Sequence, residues 1–67
     1  MDIALGMLET TGLTPAIAAL DVMAKTASIR VVQAEINDFL GVCVKVRGEV
    51  ADVQAAIDAG QTVASQM

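Results

Sequence analysis

The alternation of hydrophobic and polar residues is most regular over residues 40–48. Every second position there is aliphatic, and glycine, cysteine or a basic residue lies between: Leu40, Val42, Val44 and Val46. Successive side chains leave a β-strand on opposite faces, so a period of two predicts a strand with one buried face. Valine also favours strands. Gly48 ends the pattern.

Two further strands are predicted upstream. Residues 3–8 are nearly all apolar and too short for a helix, so they predict a strand that is covered on both faces, centrally placed or at an interface. Gly6 predicts a close approach by a neighbouring element, and turn-forming residues 9–12 end the strand. Residues 29–36 predict another strand, whose weak alternation does not indicate the buried face. Residues 37–39 link it to the strand of alternating valines.

A helix is predicted to begin at Thr14 as the N-cap, with Pro15 in the first helical position, and to end near residues 27–28. Asp21 and Lys25 are four residues apart and predict a surface ion pair. The core face is predicted from helical spacing as Ile17, Leu20, Ala24 and Ala27. A second, shallower stripe is predicted to face a partner and comprises Ala16, Ala19 and Met23.

The second predicted helix runs from about residue 50 to the end of the sequence. Gly60 costs about 1 kcal/mol relative to alanine inside a helix, but the apolar spacing continues beyond it. We therefore expect one continuous helix in which Gly60 permits a close helix contact. The apolar stripe comprises Val50, Val53, Ile57, Gly60 or Gln61, and Ala64.

The order of elements is therefore β-α-β-β-α in a single domain of residues 1–67. It predicts an α+β fold of the ferredoxin-like split βαβ type with the last strand missing, in which an antiparallel sheet carries its helices on one face. The fourth strand of that fold pairs with the first. Residues 3–10 are consequently expected to present an open apolar edge.

Composition favours self-association. Hydrophobic residues make up 55% of the 67 residues, above the roughly 45–50% of soluble domains, and a small core cannot bury them all. The apolar residues left outside the core are expected to form exposed patches, and a large apolar patch on a small domain usually contacts another subunit. The net charge of −4 argues against a nucleic-acid partner, and the absence of an uncharged apolar run of about 18 residues argues against a membrane span.

Little in the sequence points to catalysis. The chain has no histidine and one cysteine, Cys43, and it shows neither metal-ligand spacing nor a glycine-rich phosphate loop. We expect no enzyme activity, no cofactor and no metal site, and an inert thiol at Cys43. The amino-terminal residues lack the basic region of a signal peptide, and a single cysteine fits a reducing compartment, so the expected location is cytoplasmic.

Several blocks together resemble the hexamer-forming shell proteins of bacterial microcompartments. They are ALGMLET and GLTPAI at residues 4–10 and 12–17, DVMAKTA at 21–27, VKVRGEV at 44–50, and DAG at 58–60. The resemblance implies flat hexamers that tile edge to edge as facets of a shell around metabolic enzymes, with a metabolite pore on the six-fold axis. The implied partners are further copies, other shell proteins and encapsulated enzymes, in a cytoplasmic microcompartment.

The resemblance also implies roles for particular residues. Lys25 matches a lysine that lies at hexamer edges in the family. The link that lines the family's pore is matched here by Asn37, Asp38, Phe39 and Leu40. Six Phe39 rings would form a hydrophobic constriction of the kind that gates by dewetting, and six Asp38 carboxylates would disfavour anions. Alternatively, Phe39 folds back into its own subunit and leaves the axis open.

Two departures from the family pattern affect these expectations. The last strand and the Pro-Arg-Pro-like motif after it have no match here, and relatives carry small Gly and Ser residues in the pore link. A second hypothesis therefore stays open, a small ferredoxin-like regulatory domain that binds a ligand as a dimer. A mass near six chains favours the shell subunit, and a dimer favours the regulatory domain.

Overall fold

A computed structural model of the chain describes residues 3–36 and 41–67, and its elements follow the predicted order. The strands are β1 (Ala4–Thr11), β2 (Arg30–Ile36) and β3 (Gly41–Gly48), and the helices are α1 (Leu13–Thr26) and α2 (Val50–Ser65). The strands form a three-stranded antiparallel sheet in the order β1-β3-β2. The predicted α+β class and split βαβ arrangement are confirmed.

Strand β3 is the centre of the sheet, and its alternation decides where the core lies. Val44 and Val46 are fully buried and Val42 is nearly so, as their period of two predicts. The opposite residues of β1 on the same face, Leu8 and Thr10, are also buried. Both helices cover this face, so the core is Leu8, Ala16, Ala19, Met23, Val42, Val44, Val46, Val53 and Ala56.

The predicted core face of α1 is wrong. Ala19 and Met23 are fully buried and Ala16 is 1% exposed, whereas Ile17 is 57% exposed. Of the rest of the predicted face, Leu20 and Ala27 are half-buried and Ala24 is exposed. Both stripes are apolar, so hydrophobic spacing did not separate them. The structure buries the stripe that contains Ala16 and Ala19, whose small side chains let α1 approach the sheet and α2 closely.

Strand β1 differs from its prediction in length and in coverage. It continues to Thr11, so residues 9–11 belong to the strand rather than to a turn. It is an edge strand, and its Leu5 and Met7 are exposed on the face opposite the helices. Central placement is therefore not seen in the described residues, because β1 pairs with β3 alone and both helices lie on the same side of the sheet. The alternative, a strand covered at an interface, stays a prediction.

The start of α1 also differs. Gly12 is the N-cap residue, with a φ of 93° that favours glycine, and no side chain caps the helix. Thr14 therefore lies inside the first turn rather than at the cap. Pro15 is the third helical residue, where its missing N–H removes no intrahelical hydrogen bond. The helix ends at Thr26, as expected.

Strand β2 is exposed along its whole length. A register shift between Val31 and Gln33 interrupts its ladder to β3. Its weak alternation in the sequence is consistent with this position, since no buried face imposes a period of two.

Helix α2 is continuous through Gly60, as predicted. Val53 and Gly60 of its predicted stripe are buried, Val50 is exposed, and Ala56 is a buried residue that the stripe missed. The predicted close approach at Gly6 is confirmed, because a Cβ atom there would lie 2.6 Å from Val53 Cγ1. Helix α2 therefore crosses directly over β1.

Candidate assembly surfaces

Large apolar side chains are exposed on several sides of the domain. Leu5 and Met7 of β1 are 64% and 59% exposed, and Ile36 of β2 is 64% exposed. The other exposed large apolar residues are Ile3, Leu13, Ile17, Val31, Val32, Val50 and Met67. Apolar exposure of this extent on a small domain is typical of a surface that contacts another protein chain.

The sheet face opposite the helices is charged. Arg30 of β2 and Arg47 of β3 are direct partners in the register, and both are exposed. Lys45 lies on the same face of β3, so three of the four basic residues of the chain share this surface. Like charges directly opposite each other destabilise a sheet. The face is therefore suited to meet opposite charge on another molecule.

The other end of this open face is acidic. Glu9 of β1 and Glu35 of β2 flank Cys43 in the register, and Glu35 accepts a hydrogen bond of 3.2 Å from Gln33. Cys43 is a half-buried free thiol. Within residues 3–36 and 41–67, no group of three or more His, Cys, Asp or Glu side chains could hold a metal ion.

The sequence did not predict that the sheet face opposite the helices has one basic end and one acidic end. The alternation of β3 already placed Lys45 and Arg47 opposite the core valines. The parity of β2 was open, however, and its bulge shifts the register at Val31/Gln33. Only the structure shows that Arg30 joins the basic end of the face.

Lys25 forms the predicted ion pair. Its Nζ lies 3.0 Å from Asp21 Oδ2 on the surface of α1, and the side chains are 74% and 65% exposed. This is the only salt bridge within the part of the chain that the structure describes. Lys25 is in the last turn of α1, where a cation complements the helix dipole. Its exposure leaves the side chain accessible to a neighbouring molecule, while its role at a hexamer edge stays a prediction.

The predicted pore link lies outside the described residues. Asn37, Asp38, Phe39 and Leu40 fall between the end of β2 and the start of β3. The two strands pair antiparallel, with Ile36 opposite Val42, so the link joins neighbouring strands of the sheet. The predicted roles of its four residues stay predictions.

An open groove lies against the end of β1. It has a volume of about 360 Å³ and lies between the end of β1 and the last turns of α2. Leu8 and Thr10 contribute from the strand, and Ala64 and Met67 contribute from the carboxyl-terminal residues. The groove is therefore lined by both apolar and polar side chains.

No helix in the described part of the chain is long and apolar enough to cross a membrane. The exposed apolar side chains are distributed over both strands and helices.

Comparison with known proteins gives a consistent result. The BMC domain family matches residues 4–67. The carboxysome shell protein CsoS1 of Prochlorococcus marinus is 52% identical over 60 residues, which cover 90% of this chain and 58% of that protein. The carboxysome shell protein CsoS1A of Hydrogenovibrio crunogenus is 53% identical over 58 residues, which cover 87% of this chain and 60% of that protein.

A solved structure agrees with the fold. A microcompartment protein from Desulfitobacterium hafniense superposes with a TM-score of 0.91 at 29% identity, over 97% of this chain and 36% of that protein. The chain spans 58% of the length of the CsoS1 relative. The match to the domain extends over nearly every described residue, and this chain belongs to the BMC domain family of microcompartment proteins.

Proposed function

We propose that the chain is a structural subunit of a bacterial microcompartment shell, in which hexamers tile into flat facets. The curated relatives are carboxysome shell proteins, so a carboxysome-type shell is the class of shell that we propose. The role is structural rather than enzymatic. The partners are further copies of the chain, other shell proteins and the encapsulated enzymes.

Strand β2 is the observation that supports assembly. All seven of its residues are exposed, including Val31, Val32 and Ile36. A strand that pairs on one side only and carries several exposed aliphatic residues favours burial against a neighbour. The hexameric number comes from the family and not from this exposure.

The proposed hexamer gives two surfaces a function. Residues 37–40 approach the six-fold axis and line the pore, and Lys25 lies at the outer edge, where hexamers meet. The exposure of Lys25 fits contact with a neighbouring hexamer. No specific observation on the described residues favours the alternative of a dimeric regulatory domain.

The mass of the purified chain in solution tests the proposal. Analytical ultracentrifugation should give a mass near six chains, and electron microscopy should show hexagonal sheets. Replacing the half-exposed Val32 of β2 with lysine should reduce the mass to that of a monomer. Gln54→Lys, on the exposed face of α2, is the matched control and should leave the hexamer intact. A stable dimer would support the regulatory alternative instead.

A further inference from the structure

Arg30 of β2 and Arg47 of β3 form a pair of cations that no residue of the described chain neutralises. They are direct partners in the antiparallel register, so their side chains leave the sheet on the same face. Within residues 3–36 and 41–67, neither guanidinium group has an ion pair or a side-chain hydrogen bond. Arginine stays protonated in proteins. Two positive charges therefore lie opposite each other, which destabilises the pairing of the two strands.

The acidic residues on the same face of the sheet are too distant to compensate these charges. Glu9 and Glu35 lie in the row of Cys43, which is about 14 Å along β3 from Arg47 at about 3.4 Å per residue. This separation exceeds the Debye length of about 8 Å at physiological salt, so the attraction is largely screened. Glu35 also accepts a hydrogen bond from Gln33. The arginine pair is therefore open to an anion from outside the chain.

Both arginines line one open pocket at this end of the sheet. The pocket has a volume of about 650 Å³, and Ser28 contributes to it from the link between α1 and β2. This link packs closely on the end of β3, because a Cβ atom at Gly48 would lie 3.2 Å from the carbonyl oxygen of Ser28. A hydroxyl group and two guanidinium groups therefore line the same opening. The remaining lining residues are Ile3, Ile29, Gly48, Glu49 and Asp52.

Two carboxylates at the start of α2 limit the size and charge of an anion that the pocket accepts. Glu49 is the N-cap residue of α2, and Asp52 lies in its first turn. Among the described residues, neither carboxylate forms an ion pair with an arginine. A long polyanion would meet these carboxylates as well as the guanidinium groups and would be repelled. The pocket is therefore suited to a small anion held beside Arg30 and Arg47.

We infer that Arg30 and Arg47 form a binding site for a small oxyanion, for which inorganic phosphate is the probe. A guanidinium group presents paired N–H donors that match two oxygens of a phosphate, sulfate or carboxylate group. One oxyanion between the two side chains replaces their mutual repulsion with charge-assisted hydrogen bonds to both. The hydroxyl group of Ser28 is a further donor on the pocket. The site does not depend on the proposed hexamer.

Occupation of the site should hold β2 more firmly against β3. Arg30 is the first residue of β2, and the register shift between Val31 and Gln33 separates it from the rest of the ladder. An anion that bridges Arg30 to Arg47 adds a link beyond this interruption. Hydrogen exchange of the β2 amides should therefore slow when phosphate is bound, because local opening of the strand also breaks the site.

Titration of the 67-residue chain with sodium phosphate is the first test, with sodium chloride added to keep the ionic strength constant. The NMR signals of the Nε–H groups of Arg30 and Arg47 should shift along a saturating curve. Phosphate also stabilises folded proteins in general because it is excluded from their surface, so saturation is the property that identifies a site. Shifts that are absent, or that grow linearly with concentration without saturating, would overturn the inference.

Arg47→Gln and Lys45→Gln are a matched pair of variants. Both remove one positive charge from the same face of β3, but Lys45 does not line the pocket. We expect Arg47→Gln to weaken phosphate binding by roughly tenfold or more, because it removes hydrogen bonds from a charged donor. Lys45→Gln should weaken it by no more than about twofold, because salt screens the more distant charge. Equal weakening by both variants would overturn the inference, since binding would then follow net charge alone.

Urea unfolding of Arg30→Gln provides a second readout, in which the effect of the variant changes sign. Without phosphate the variant should unfold at a higher urea concentration than the unchanged chain, because the repulsion between the arginines is removed. At saturating phosphate it should unfold at a lower concentration, because only the unchanged chain gains stability from the bound anion. A loss of stability under both conditions would assign Arg30 a structural role and overturn the inference.

A carboxylate of another copy of the chain shares the chemistry of a free oxyanion. If another copy provides it, the signals of Arg30 and Arg47 will shift as the chain is concentrated without phosphate, and added phosphate will reduce the mass in solution. That result would overturn a site for a free anion, whereas saturable phosphate binding at unchanged mass would support it. Sedimentation of the same samples reports hexamer formation separately, so failure of the anion site is distinguishable from failure of the proposed shell function.

Discussion

Met23 occupies the space that a side chain at position 60 would need. A Cβ atom built on Gly60 would lie 2.6 Å from Met23 Sδ and 2.8 Å from Met23 Cγ, and 3.1 Å from Leu8 Cδ2. Met23 is fully buried, so it has little room to move aside. The contact between α1 and α2 thus depends on the absence of a side chain at residue 60.

We expect Gly60→Ala to destabilise the fold despite the better helix propensity of alanine. Overpacking a core costs about 1–3 kcal/mol, and the gain in propensity offsets about 1 kcal/mol, so the net loss should be about 1 kcal/mol. Urea unfolding measures it. In a Met23→Ala background the same change should stabilise, because the clash is absent. A stabilising Gly60→Ala in the otherwise unchanged chain would contradict the packing described here.

Substitutions on the two stripes of α1 should differ in how strongly they change the free energy of unfolding. Ala19 is fully buried, so Ala19→Leu should overpack the core and cost about 1–3 kcal/mol in the free energy of unfolding. Ile17 is 57% exposed, so Ile17→Ala should change it by less than about 1 kcal/mol. Thermal unfolding of both variants checks the assignment. A larger loss for Ile17→Ala would restore the core face that helical spacing predicted.

The sequence predicted an element and its buried face correctly where the spacing of its apolar residues allowed a single interpretation. The valines of β3 alternate with glycine, cysteine and basic residues, so their period of two indicated both the strand and its buried face. In α1 apolar residues occur on two adjacent stripes, and period alone could not select the alanines over Ile17. Which stripe is buried depended on how closely α1 approaches the sheet and α2, and this distance is a property of the packed chain.

The candidate site was less predictable from the sequence than the fold. Lys25 and its pairing with Asp21 follow from a spacing of four residues and are confirmed as a surface ion pair. The basic end of the open sheet face depends on how β2 pairs with β3, and the bulge after Val31 changes that register. A bulge of this kind leaves no clear signature in a sequence of mixed aliphatic and polar residues.

Lys25→Ala should leave folding unchanged but prevent the tiling of hexamers into sheets. The pair with Asp21 is exposed, and exposed ion pairs contribute at most about 1 kcal/mol, so stability and hexamer mass should be nearly unchanged. Hexagonal sheets should be lost in electron microscopy, because the side chain provides both its stem and its charge to a contact. Asp21→Asn is the matched control, since it keeps the ammonium group. Normal sheets from Lys25→Ala would leave this residue as a solvated helix-end cation.

The pore link carries a separate prediction. With six copies around one axis, Phe39→Gly should increase the permeability of assembled shells to small neutral molecules, because it removes a hydrophobic constriction. Asp38→Asn should increase permeability to anions while leaving neutral molecules unaffected. Uptake of reporter substrates by enclosed enzymes measures both. A crystal structure with the Phe39 rings more than about 10 Å from the axis, beyond contact distance, would exclude the constriction.

The exposure of β2 has a consequence for the kinetics of assembly. In a lone chain the strand is held by one interrupted ladder to β3, and few contacts oppose its local opening. In the proposed hexamer a neighbour that covers β2 would also suppress its local opening, and the first two subunits to meet would bear that entropic cost without the contacts that a closed ring supplies. Assembly of subunits should then begin rarely and proceed quickly, with a lag that shortens steeply as the concentration of the protein rises. Slow nucleation of this kind favours a few complete shells over many unfinished ones.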